Sequence, residues 1–183
     1  MAQPRHLFCL DLGQRTGFAV GAAGSLPVSG TVVLKKPTEP AAVALGNLLE
    51  FLRERWTAER PDLVVIEAPL SIAAMARLNN AEETMLLLHR LAGVVQAMTQ
   101  RFAIRLVEVN SATARKHFMG RGSAGTREET KRAVVSRAVM LGYLPRGCED
   151  DDRADACCVF DWAAATLCRI PPRELVMFGE ARA

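Results

Sequence analysis

Residues 6–20 read HLFCLDLGQRTGFAV, and this stretch decides the fold. The run HLFCLDL (6–12) is apolar with partial alternation, the pattern of a strand with one face in a core. GFAVGAAG (17–24) and VSGTVVL (28–34) repeat the pattern after Gly-rich or Pro-containing turns. Three strands so closely spaced imply hairpin links and an antiparallel meander. Downstream the period changes. From Pro40 to Arg60, Val43, Leu48, Leu49 and Leu52 fall at helical spacing, and Pro61 closes that helix before a strand in DLVVIEAP. A long helix is expected over much of Ala73 to Arg101, then a strand in IRLVEVN and a short helix in SATARKHF. MGRGSAG (119–125), with three glycines, reads as a mobile loop. TREETKRAVVSRAVML carries a Thr126–Glu129 capping box that marks a further helix start. The last helix begins inside EDDDRADACCVF (149–160). The order β-β-β-α-β-α-β followed by helices predicts an α/β fold. Its mixed five-stranded sheet has three antiparallel strands, then parallel ones, with helices on its faces.

The totals bound the function. At 183 residues the chain suits one domain over 1–183, with a core from about 6 to 170 and a short C-terminal tail. Half of it is apolar, yet no apolar run nears the roughly 18 residues needed to span a bilayer. MAQPRHLFCLDLG lacks the layout of a signal peptide, so a soluble intracellular protein is expected. The five cysteines contain no CxxC pair and are expected to be buried free thiols, which argues against zinc. A net charge of +3 is uninformative in total but not in distribution: Thr113 to Arg137 holds seven Lys or Arg against two Glu.

Chemistry enters with the acids. Asp11 and Glu67 each end an apolar run, and in parallel sheets functional crevices lie beyond the carboxyl ends of strands. Alone, Asp11 before Gly13 also suits a turn, and Glu67 before Pro69 an exposed rim. On the final helix Ala156, Val159, Phe160, Ala163 and Leu167 form an apolar stripe. Asp152 falls near its centre line, Asp155 to one side, and Asp151 at the N-cap, with Asp150 and Asp161 turned toward solvent. Two unit charges about 4 Å apart repel by roughly 4 kcal/mol at an effective dielectric near 20, so converging acids need protons or cations. Oxygen ligands favour magnesium or manganese, and a two-ion site needs only acids around it. That is nuclease chemistry.

LDLGQRTGFAV, VVIEAP and DDRADA, in this order and spacing, resemble the RuvC family of Holliday junction resolvases, members of the RNase H-like superfamily. The similarity runs from about Leu7 to Ala165. It implies a homodimeric, magnesium-dependent endonuclease that nicks a four-way DNA junction symmetrically. Manganese would substitute, and two ions would be held per site by Asp11, Glu67, Asp152 and Asp155. SATARKHFMGRGSAGTREETKRAVV resembles the family's basic stretch and loop. This makes Arg115, Lys116, Arg121, Lys131 and Arg132 candidates for DNA phosphates, with Lys131 catalytic at the scissile one. Leu70 stands near where members often carry an aromatic wedge, and Leu12 where the best-known enzymes have proline. With a longer gap before Lys131, these departures point to a divergent, phage-type member in the cytoplasm of a bacterium or infected host. His6 and His89 are expected to be structural, while His117 is a candidate DNA contact. MLLLHRLAGVVQAM (85–98) suits core or a dimer face. DLGQRTG also resembles a sugar-kinase phosphate loop, but 183 residues leave no room for that fold's second domain. An RNase H-like nuclease for RNA or flapped DNA, and a non-catalytic binder of branched DNA, remain open alternatives.

Overall fold

The computed structural model describes residues 5–69 and 82–172. The opening meander forms as its sequence indicates. β1 (His6–Asp11) pairs antiparallel with β2 (Arg15–Ala22), and β2 with β3 (Val28–Val33). The turn between β1 and β2 is closed by Thr16, whose hydroxyl donates to the Gly13 carbonyl at 3.0 Å and accepts its N–H at 3.2 Å.

After α1 (Ala41–Ala58) the chain enters β4 (Leu63–Glu67), parallel to β1. The second long helix is seen as α2 (Glu82–Arg101); its expected start at Ala73 lies outside the described residues. β5 (Arg105–Val109) then pairs parallel with β4, completing the sheet order β3-β2-β1-β4-β5. Three helices follow: α3 (Ser111–Met119), α4 (Arg127–Met140) and α5 (Asp151–Leu167).

Local chemistry fixes the helix starts. The Asn110 side chain accepts the Ala112 N–H at 2.9 Å. At α4 the box closes both ways: Thr126 accepts the Glu129 N–H at 3.2 Å, and Glu129 accepts the Thr126 N–H at 2.7 Å. At α5 the sequence expectation needs correction, because the N-cap is Asp150, not Asp151. Asp150 accepts the Arg153 N–H at 3.1 Å and is held by the Thr31 hydroxyl of β3 at 2.8 Å. A partner from the neighbouring strand thus chooses among three adjacent aspartates of equal capping ability.

The sheet separates two apolar layers, and the period of two sorts its residues between them. Phe8, Leu10, Val64 and Ile66 face α1 and α2, in a layer rich in leucine and aromatic rings that includes Trp56. Leu7, Cys9, Leu63 and Val65 face α3, α4 and α5, in a layer built largely of alanine and cysteine around Phe118 and Phe160. Burial along α5 is unbroken from Ala154 to Asp161. All five cysteines are free, and all but Cys148 are buried. No helix among the described residues is long and apolar enough to cross a membrane.

Candidate active site

The alternation that builds the core also aims the acids. Asp11 continues the series Leu7, Cys9, and Glu67 continues Leu63, Val65, so both carboxylates end their strands on the α5 face. β1 and β4 are hydrogen-bonded neighbours, with Leu10 beside Ile66. α5 packs across β1 and β2 with its N-terminus toward the same rim. It approaches closely because Gly17, the partner of Asp11 on β2, has no side chain: a Cβ there would lie 1.9 Å from the Asp152 carbonyl oxygen. Asp11, Glu67, Asp152 and Asp155 thereby line one cleft of about 820 Å³.

Its electrostatics are those of crowded acids. Burial first, then Asp155, Glu67 and Asp152, push the Asp11 carboxyl well above its ordinary range, against the pull of Arg115. Burial also raises Glu67, opposed by the Ser111 hydroxyl and Arg115. Asp155 is raised by burial although Arg115 binds it, Nη2 donating to Oδ2 at 3.1 Å and Nε to Oδ1 at 3.4 Å. Asp152 accepts from Arg15 Nε at 2.9 Å. The Asp11 carboxylate accepts no hydrogen bond from any described residue. Four carboxylates therefore face two guanidiniums bonded to them, and the remaining negative charge with its oxygen donors fits a hard divalent cation.

A second acidic group adjoins the cleft. Carboxylate oxygens of Asp150, Asp151 and Asp152 all lie within 4.8 Å of one another. Each is engaged: Asp150 by Thr31, Asp151 by the Lys131 ammonium, Asp152 by Arg15. Burial works against ionisation of Asp151, but Lys131 outweighs it and the carboxyl titrates below its ordinary value.

The basic candidates divide. Arg115 and Lys131 line the cleft, whereas Lys116, Arg121 and Arg132 are exposed and lie outside its lining. Leu70 lies outside the described residues. His117 sits with its Nε2 3.1 Å from Asp161 Oδ2, and the Tyr143 hydroxyl donates to Asp161 Oδ1 at 2.5 Å. This corrects two further expectations. Asp161 is buried rather than turned to solvent, because α3 and α4 cover the side of α5 that an apolar stripe leaves open, and Asp150 faces β3. The sequence reading also missed Arg15, Lys35, Lys36 and Arg127, all of which line the cleft. For Lys35 and Lys36 the one signal was a pair of cations directly after a strand, a commonplace pattern.

No protein-family model matches the chain, and no curated protein matches it. Solved structures do. Thermus thermophilus RuvC matches at a TM-score of 0.65 and 20% identity, over 87% of this chain and 94% of that one. T. thermophilus RuvC in complex with a Holliday junction substrate matches at 0.63 and 20%, over 85% and 90%. The yeast mitochondrial Holliday junction resolvase Ydc2 matches at 0.57 and 10%, over 84% and 75%. The chain thus has the RuvC fold, the RNase H-like sheet of three antiparallel strands continued by parallel ones.

Proposed function

We propose that this chain is a divalent-metal-dependent endonuclease of the RuvC type that nicks branched DNA, four-way junctions above all. The observation that supports this most is the convergence of Asp11, Glu67, Asp152 and Asp155 on one cleft, with the Asp11 carboxyl lifted by burial and then by its neighbours. The shared fold with two junction resolvases points the same way. Bound by these acids, magnesium or manganese, as two ions, would supply Lewis-acid stabilisation of a phosphodiester and a water of lowered pKa.

The chain's own residues position the reaction. β1 and β4 fix Asp11 and Glu67 through backbone pairing, and Arg15 and Arg115 hold Asp152 and Asp155 in place. Arg115 also offsets part of the repulsion that would push the acids apart. Lys131, tethered by Asp151 in the cleft lining, would meet the scissile phosphate, while Lys116, Arg121 and Arg132 would extend the cationic surface for flanking DNA. A homodimer would bring two such clefts to opposed strands.

The test is incubation with end-labelled four-way, three-way, flapped and linear duplex DNA, and with an RNA–DNA hybrid, in magnesium and in EDTA. Magnesium-dependent nicks on the four-way substrate, resealable by ligase, are expected. Cutting that persists in EDTA would overturn the metal reading; cutting confined to flaps or to the hybrid would replace the substrate. Lys131→Ala should lower the cleavage rate of bound junction more than its affinity.

A further inference from the structure

The loop that joins β3 to α1 brings a cation into the cleft by a route independent of the basic stretch. β3 is antiparallel to β2, which is antiparallel to β1, so β3 runs parallel to β1 and ends at the same rim as Asp11 and Glu67. Directly beyond it stand Lys35 and Lys36, both in the cleft lining.

The two lysines do different things. Lys35 is buried, 7% exposed, and spends all three ammonium donors on backbone carbonyls: Lys36 at 3.0 Å, Pro37 at 3.2 Å and Glu39 at 2.8 Å. Burying an ammonium costs several kcal/mol unless its donors are satisfied in this way, so the ammonium dictates the course of the loop around it. Further bonds pin the same segment. Leu34 donates to the Gln14 carbonyl at 2.7 Å, Asn47 donates to the Leu34 carbonyl at 2.8 Å, and the Lys36 N–H donates to Glu39 at 2.6 Å. On this braced loop the Lys36 side chain is exposed, and its ammonium makes no ion pair among the described residues. Arg15, Arg115 and Lys131, by contrast, are committed to Asp152, Asp155 and Asp151, while Arg127, also in the lining, belongs to the basic stretch.

We infer that Lys36 binds a backbone phosphate of the cleaved DNA strand, a phosphate subsite set beside the acidic centre by the β3–α1 loop. This rests on the nuclease reading. Two strand spacings, about 10 Å, separate β3 from β1, and Lys36 lies beyond the end of β3, five residues past Thr31, which is level with Asp11 in the sheet. The phosphate it meets is therefore one that flanks the scissile phosphate, not the scissile phosphate itself. Lys35 is a positioning residue, with no donor left for the ligand.

The experiment measures binding and cleavage of a labelled four-way junction by Lys36→Ala and Lys36→Arg. Because Lys36 is exposed, an unchanged Tm is expected and establishes that the variants are folded. Lys36→Ala should bind more weakly, and its deficit should shrink about three-fold between 50 and 200 mM salt, as loss of one phosphate contact requires. Lys36→Arg should keep the wild-type salt slope. Neutral methylphosphonates introduced one at a time into the cleaved strand should weaken the wild type at one position flanking the cut. At that position Lys36→Ala should lose nothing further. An unchanged salt slope, or additive losses at every position, overturns the inference. If Asp11→Asn abolishes cleavage while Lys36→Ala behaves as wild type, only this subsite falls; if the wild type neither binds nor cuts branched DNA, the nuclease reading falls with it.

Discussion

At Asp11 the forces run against ionisation: burial and three neighbouring carboxylates outweigh Arg115, and the folded pKa lies well above the unfolded one. The native state then holds its proton longer than the unfolded chain. Stability that this group contributes below the ordinary carboxylate range is lost as pH climbs through the raised value. In EDTA at neutral pH, Asp11→Asn is therefore expected to raise Tm, and to change little at pH below the ordinary carboxylate range. Magnesium should raise the Tm of the wild type and leave the variant almost unmoved; thermal scans at the two pH values, with and without the ion, check both statements. Asp152→Asn and Asp155→Asn should each abolish nicking while gel shifts show junction binding intact, since removing negative charge does not weaken contact with an anion. The corrected cap makes a separate expectation. Asp150→Ala should cost about 1 kcal/mol in urea unfolding, whereas Asp150→Asn, an equally good cap, should cost little.

Among the elements, α5 depends most on a position outside itself. Gly17 meets the Asp152 carbonyl, part of a helix backbone that cannot rotate away. Gly17→Ala is expected to cost about 1–3 kcal/mol by overpacking and to abolish nicking by displacing Asp152. Gly46, inside α1, is the control: a Cβ there meets nothing within 4 Å, so Gly46→Ala should stabilise by about 0.8–1 kcal/mol with nicking unchanged. The elements also show what the sequence discloses. Strands β1 to β5 and the placing of Asp11 and Glu67 at strand ends were legible because apolar runs bounded by turns are local properties, as is the box that starts α4. The cap of α5 was not legible, because the choice among Asp150, Asp151 and Asp152 is made by Thr31, 119 residues away along the chain from Asp150. Asp161 was misplaced for a similar reason: a helical wheel assumes a solvent side, and α3 and α4 leave α5 none there. Lys35 and Lys36 were passed over although the expected meander already ends β3 at the rim of β1, because two cations after a strand are commonplace and only the fold shows them in the cleft lining.

Across the whole molecule, charge is arranged by depth. The acids lie at the carboxyl ends of β1 and β4 and the N-terminus of α5, and cations from three separated segments, Arg15, Lys35 to Lys36 and Arg115 to Lys131, surround them. Junction binding and nicking should therefore part company when the ion is changed. Calcium, with its looser coordination, should support binding with little cutting where magnesium supports both, and parallel gel-shift and nicking assays decide it. The unequal apolar layers carry a further implication, for engineering. The layer that seats α5 is rich in alanine and cysteine, and enlarging those packed beneath α5 would shift the helix that bears two of the acids. The opposite layer, with Trp56, Phe8 and its leucines, contains none of the acids, although Leu12 at its border and Thr84 and Leu88 of α2 line the cleft. Stabilising substitutions should accordingly cost turnover least on the α1 and α2 side, at positions away from Leu12, Leu34, Asn47, Thr84 and Leu88, and directed evolution of this scaffold should accumulate them there.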